Sequence, residues 1–344
     1  MADECVYGEI GGLEPRKALS PELSKKVTNH FIYVSKVSKS YGGKLVVNDV
    51  TLDLNEGQAL CILGESGSGK STLLKLIAGH IDADSGDIYV NSERIVGPAD
   101  KLVPGYKHIK LIHQNIKLSQ FKTIHDNLKS ATYEFKPEYR EEKVNELLKL
   151  TRLEDKVDAF PLELSGGQQQ RIAIGAALAN EPDVALLDEP FSHLDVSLKA
   201  EIRQDLMDML TELGMTTIFV SHDANDAFAV ADKVIVLRNG VIEQIGTPDE
   251  IYRNPANEYV ARFFGPVSVF VVNGKKQLVR PEQLSLNTGV TAIGQLIIER
   301  CKFYGNHYLI EGTCDNAQGI VSVYSSTSIR IGSKCTLYLP PTQS

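Results

Sequence analysis

The chain is short of three things, and each shortage removes a class of protein. Positive charge is one: 36 lysines and arginines face 44 aspartates and glutamates in 344 residues, a formal net charge of −8. Nucleic acid is held by clustered cations that neutralise phosphates, so no nucleic-acid partner is expected. Cysteine is another, since Cys5, Cys61, Cys301, Cys314 and Cys335 form no close pair and no C-x-x-C. That spacing suits neither a disulfide framework nor a zinc knuckle, and it fits a reduced, cytoplasmic setting. Long apolar runs are the third. The longest, around Ile172–Ala179 and Val267–Val272, fall well short of the ~20 residues of a membrane-spanning helix. The acidic start, Met1-Ala2-Asp3-Glu4, lacks the apolar core of a secretory signal. Any membrane role is therefore expected through a partner.

What is present divides the chain. Apolar residues at 42% and charged residues at 23% are globular proportions, and the length exceeds the roughly 250–300 residues at which one core stops growing. Residues 1–30 are polar, carry Pro15 and Pro21 and show no sustained periodicity, which predicts a flexible N-terminal extension. Short β-type runs follow at Phe31–Val34, Leu45–Leu54 and Gln58–Leu63, the last feeding a glycine loop and the helical spacing of Ser71–Ala78. A helical stretch over Thr123–Leu162 suggests an inserted helical subdomain at about 115–170. A helix over Gln169–Ala179, a strand at Val184–Leu187, a helix at Ser197–Leu213 and a strand at Thr217–Val220 alternate after it. That alternation predicts an α/β domain over 31–265, with a mainly parallel sheet and helices on both sides. Arg238-Asn239-Gly240, between two apolar runs, predicts a hairpin. Past Pro266, short β runs punctuated by Gly and Asn predict a small all-β domain over 267–344. Its seven basic residues outnumber its four acidic ones.

Three clusters carry chemistry. In Gly64-Glu65-Ser66-Gly67-Ser68-Gly69-Lys70-Ser71-Thr72 the glycines let successive N–H groups point inward, and the helix that follows adds its positive end. This is a P-loop, where Lys70 neutralises the β- and γ-phosphates of ATP and Ser71 ligates Mg²⁺. Asp188 closes an apolar run, so its carboxylate emerges at the carboxyl end of a strand beside the P-loop and is the second metal ligand. Glu189 follows at once and is the candidate base for an attacking water.

The third cluster, Leu164-Ser165-Gly166-Gly167-Gln168, resembles the signature motif of ABC-transporter ATPases. The other family motifs stand in order at Gly64–Thr72, Gln114, Asp188–Glu189, Ser192-His193-Leu194-Asp195 and His222. The resemblance covers about residues 31–265. It implies a homodimer in which the signature of one copy closes over ATP held by the P-loop of the other. It also implies that Tyr41 stacks on adenine, that Gln114 links Mg²⁺ and water to the membrane partner, that Ser192–Asp195 form the D-loop, and that His222 senses the γ-phosphate.

The stretch Gln244–Gly265, with Arg280-Pro281-Glu282 beyond it, is similar to importer ATPases that serve polyamines, ferric ions, sulfate, molybdate and maltose-type sugars. That branch carries an OB-like C-terminal domain called TOBE. Its implied partners are two transmembrane permease subunits and, indirectly, a solute-binding protein, with the chain peripheral on the inner face of the cell membrane. One module fits after Pro266, which favours a polyamine, ferric-ion or oxyanion type. Ala176 stands where the branch commonly has Arg, and Gln120-Phe121 replaces a Pro-containing step. Two alternatives stay open on sequence: an ABC-type ATPase not engaged in transport, and an importer subunit dominated by ligand regulation at the β domain.

Overall fold

The computed structural model describes residues 21–113, 118–191, 196–272, 274–289 and 291–339. Helix α1 (Pro21–Asn29) is the first described element and corrects the structureless reading of residues 21–29; residues 1–20 of that expected extension lie outside the described residues. Val27 of α1 is buried with Tyr33 and Tyr89, a contact with distant strands that the local sequence does not announce. Strands β1 (Ile32–Tyr41) and β2 (Lys44–Leu54) form a hairpin. Next come β3 (Ala59–Leu63), α2 (Lys70–Ile77), β4 (Ser85–Val90), β5 (Glu93–Ile95) and β6 (Ile109–Ile112). The expected helical insertion holds α3 (Ile124–Ala131), α4 (Pro137–Thr151) and the start of α5 (Gly166–Ala177). Then follow β7 (Val184–Asp188), α6 (Val196–Glu212), β8 (Thr216–Ser221), α7 (Ala224–Val230), β9 (Lys233–Arg238), β10 (Val241–Gly246), α8 (Pro248–Arg253) and α9 (Glu258–Phe263). Asn239 and Gly240, at φ 49° and 80°, make the predicted hairpin turn between β9 and β10.

A six-stranded sheet in the order β10-β9-β3-β8-β7-β6 is parallel except for β10, as the alternation of strands and helices predicts. Helices lie on both sides of that sheet as expected, but on one side they share the face with a second sheet that the sequence did not announce. Strands β1 and β2 join β4 and β5 in a separate antiparallel sheet, β2-β1-β4-β5, which covers one face together with α2. The pleat sorts the core accordingly. On β3, Leu60 and Ile62 point to the antiparallel sheet, while Ala59, Cys61 and Leu63 point to the opposite layer with Phe191, Leu206 and Phe219. Each buried leucine, isoleucine or phenylalanine among them contributes roughly 1.5–3 kcal/mol, and Ile62→Ala would cost about 2–5 kcal/mol. A third core, with Ile124, Leu128, Val144, Leu147 and Ile172, holds α3 and α4 against α5. Helix α5 straddles two cores, because its Ile174 belongs to the sheet layer.

Beyond Pro266 the described residues form β11 (Ser268–Val272), β12 (Lys275–Val279), β13 (Ser285–Leu286), β14 (Thr291–Phe303), β15 (Tyr308–Cys314), β16 (Ala317–Gln318), β17 (Ile320–Ser325) and β18 (Lys334–Leu339). They build two antiparallel sheets, β12-β11-β16 and β13-β18-β14-β15-β17, around Phe270, Leu296, Ile310, Val323 and Leu337. Arg280 fastens this part to the preceding helices. It is 5% exposed, donates to the carbonyls of Ala261 at 2.9 Å and Tyr252 at 3.3 Å, and lies 4.1 Å from the Tyr252 ring centroid. The Tyr252 hydroxyl donates to Glu282 Oε1 at 2.5 Å, and burial followed by that bond pushes its pKa up to about 12. Among the described residues no helix is long and apolar enough to cross a membrane.

Candidate active site

The P-loop connects the buried strand β3 to α2, so its position follows from the centre of the sheet. Packing leaves no room for side chains at two of its glycines. A Cβ on Gly64 would lie 2.4 Å from the Leu237 carbonyl oxygen, and one on Gly69 would lie 2.3 Å from that of Val46. Gly69 also sits at φ 105°, where L-residues are strained, and caps α2 with no side-chain acceptor. The first N–H groups of α2 therefore face the loop without a side-chain cap, as an anion site requires. Glu65, Ser66 and Gly67 form the exposed rim, Ser68 is buried, and Ser71 and Thr72 are half-buried.

Lys70 is 5% exposed, and its Nζ donates to the carbonyls of Gly64 at 2.8 Å and Glu65 at 2.9 Å. Burial lowers its pKa, while the nearby Glu189 and Asp188 carboxylates act in the opposite sense. Ser71 Oγ donates to Asp188 Oδ1 at 2.7 Å, bringing α2 and the end of β7 together. Glu189 follows with a left-handed backbone at φ 49°, and its Oε2 lies 3.5 Å from Nδ1 of His222. His222 comes just after β8, which pairs in parallel with β7, so the two side chains emerge side by side at one sheet edge. Lys70, Ser71, Asp188, Glu189 and His222 thus converge at the carboxyl edge, where open α/β sheets bind their ligands.

The structure does not bring the LSGGQ segment into this cluster. Leu164 is buried, Ser165 caps α5, and Gly166, Gly167 and Gln168 form its first turn, three residues ahead of the expected helix start. Ser165 Oγ accepts from the Gln168 N–H at 3.3 Å, and Gln168 Oε1 accepts from the Ser165 N–H at 3.0 Å. Sequence reading discounts glycine inside helices, whereas here the reciprocal cap offsets the low propensity of Gly166 and Gly167. Tyr41 ends β1 with its ring half exposed and Lys39 Nζ 5.7 Å from the centroid. Gln114 and the D-loop residues Ser192, His193, Leu194 and Asp195 lie outside the described residues.

Sequence reasoning missed the residues that brace the site. The Gly240 N–H in the β9–β10 turn donates to the Ser68 carbonyl at 2.9 Å, supporting the P-loop from far along the chain. Beneath His222, Ser221 Oγ donates to the buried Asp226 at 2.6 Å. Asp226 is held by Arg203 at 2.8 Å and Lys199 at 3.1 Å, both on α6. The spacing of Lys199 and Arg203, four residues apart on one helix face, is the only sequence signal that could have marked them.

A buried β3–glycine loop–α2 unit in a parallel sheet, with a lysine and a Ser–Asp pair at its carboxyl edge, defines a P-loop nucleotide-binding domain. The family model described as ABC transporter matches residues 47–192. The chain is 41% identical over 255 residues to the spermidine/putrescine import ATP-binding protein PotA of Vibrio vulnificus, covering 72% of this chain and 65% of that protein. It is 39% identical over 263 residues to the sulfate/thiosulfate import ATP-binding protein CysA of Halalkalibacterium halodurans, covering 75% and 72%. It also resembles the solved structure of cbiO1 from Clostridium perfringens, part of the ABC transporter complex cbiONQ. The TM-score is 0.60 at 28% identity, over 66% of this chain and 92% of that one. The chain belongs to the ABC transporter family, and it spans about two thirds of the length of the import ATP-binding proteins it matches.

Proposed function

We propose that the chain is the ATP-binding and ATP-hydrolysing subunit of an ABC importer and works as a homodimer. The observation that carries this reading is the convergence of Lys70, the Ser71–Asp188 pair and the Glu189–His222 pair at one sheet edge. Two hard oxygen ligands, Ser71 Oγ and Asp188 Oδ1, stand 2.7 Å apart, a donor set that fits Mg²⁺, which takes one or two protein oxygens and completes its shell with phosphate and water. Bound there, Mg²⁺ supplies charge neutralisation at the β- and γ-phosphates. Lys70 exchanges its two loop carbonyls for phosphate oxygens, Glu189 orients the attacking water and takes its proton, and His222 steadies Glu189 and meets the developing charge. Tyr41 stacks on adenine.

Ser165 and Gly167 of a second copy close over the γ-phosphate, so each site is complete only in the dimer. By family resemblance Gln114 faces a permease subunit and Ser192–Asp195 face the second copy. Two permease subunits and a solute-binding protein complete the assembly, which keeps this chain peripheral on the inner face of the membrane. The named relatives import polyamines and sulfur oxyanions, so a polyamine, a ferric ion or an oxyanion is the proposed cargo. Residues 31–265 form the ATPase domain in this scheme and 267–344 a TOBE-type OB-like domain. Arg280 supports their permanent attachment.

Size-exclusion chromatography in Mg-ATP tests the scheme. Glu189→Gln keeps the site's shape without the base and should elute as a dimer, whereas Lys70→Ala should elute as it does without nucleotide. Wild-type hydrolysis by Glu189→Gln would sink the assignment of that residue.

A further inference from the structure

Glu189 and the helix opened by LSGGQ lie in different segments of the chain, and one side chain joins them. Gln170, in α5 two residues past the LSGGQ segment, donates from Nε2 to the carbonyl of Pro190. That carbonyl belongs to the residue after Glu189, whose backbone at φ 49° lies in the left-handed region that L-residues disfavour. A strained turn of this kind persists only where neighbouring groups hold it.

We propose that Gln170 is a positioning residue whose hydrogen bond to Pro190 fixes the turn that presents Glu189 to the attacking water. The place of the signature helix then sets the aim of the base in the same chain. Helix α5 is itself anchored beside this contact. Arg171 Nη1 donates to Asp205 Oδ2 of α6 at 3.1 Å, and Arg152, at the end of α4, donates to Oδ1 of the same carboxylate at 3.0 Å. A displacement of α5 that this anchor permits reaches the Glu189–Pro190 peptide through the Gln170 bond. In the proposed dimer, signature closure on one nucleotide is in this way reported to the base that serves the other. The inference rests on the proposed role of Glu189.

The test uses the purified full-length chain and steady-state hydrolysis of Mg-ATP. Gln170→Met keeps length and bulk but has no N–H donor, while Gln170→Lys keeps a donor of similar reach. The Met variant should lose about tenfold to a hundredfold in kcat, the scale of a misplaced catalytic group, with KM for ATP within about twofold of wild type. The Lys variant should recover most of that loss. An unchanged kcat in Gln170→Met, or equal losses in both variants, would overturn the proposal. Glu189→Gln, measured alongside, separates the two levels. If it hydrolyses ATP at the wild-type rate, the role of Glu189 falls and this inference with it. If it is inactive while Gln170→Met is normal, only the inference falls.

Discussion

The P-loop and the LSGGQ segment are both glycine-rich turns that open a helix, and they are held in opposite ways. The P-loop is shaped from outside, by carbonyls of Val46 and Leu237 that leave no room for a Cβ and by the Gly240 N–H on the Ser68 carbonyl. Its helix starts at Gly69 without a side-chain cap. The LSGGQ segment is shaped from within, by the reciprocal cap of Ser165 and Gln168, and a Cβ on Gly166 would meet no atom within 4 Å. A turn built by distant packing keeps its own amides available for a ligand. A turn built by sequence neighbours satisfies itself and waits for a partner to replace those bonds.

Glycine substitutions should expose the contrast most strongly. Gly69→Ala places a methyl 2.3 Å from the Val46 carbonyl oxygen at φ 105°, and should destabilise the fold by about 3 kcal/mol or more in urea melts while abolishing nucleotide binding. Gly166→Ala should leave stability within about 1 kcal/mol of wild type, since open space and a better helix former act together. Hydrolysis by that variant should still fall at least about tenfold, because in the proposed dimer the added methyl would face the nucleotide of the second copy. Wild-type turnover in Gly166→Ala would break the comparison, leaving LSGGQ a helix cap and nothing more.

A smaller effect sharpens the self-capped side. Ser165→Ala should cost roughly 0.5–2 kcal/mol, visible as faster amide exchange at Gln168, and Ser165→Asp should restore protection. The smallest concerns the strand end that carries Tyr41. The Asp84 carboxylate accepts from Lys39 at 2.7 Å and from the Ser40 hydroxyl and N–H at 2.6 and 2.7 Å, which lowers its pKa from 3.8 to about 2. With a depressed folded pKa, its contribution is fully present above pH 3.8 and is lost as pH falls through about 2. A carboxyl NMR titration should give that midpoint, and Lys39→Met should move it back toward the ordinary range. The Ser165–Gln168 cap has no ionisable group and should not respond across the same window.

Local features were legible in the sequence. The strand–loop–helix around Gly64–Thr72, the apolar run ending in Asp188 and the Asn239-Gly240 turn each depend on a few adjacent residues, and the structure places all three as expected. What depends on distant pairing was not legible. Ser85–Val90 becomes a strand because β1 accepts it, and nothing in its own residues announces the second sheet. The neighbourhood of Glu189 and His222 follows from β7 pairing with β8, and the Arg203–Asp226 contact from α6 packing against α7. Gln114 and Ser192–Asp195 fall outside the described residues, so their roles rest on family resemblance alone.

The strand order of the parallel sheet also imposes a timetable on synthesis. Strand β3 pairs with β8 and β9, and some 150 residues separate its end from the start of β8. At ~5–20 residues per second, a ribosome takes roughly 8–30 s to deliver those neighbours. The antiparallel sheet, drawn wholly from residues 32–95, has all its strands in hand long before then. The nucleotide loop is thus written early and braced late, and β3 must wait as an unpaired apolar strand on a half-made protein. Slowing translation between β4 and β8 should lengthen that exposure and raise aggregation of the nascent chain, whereas slowing it beyond β10 should not.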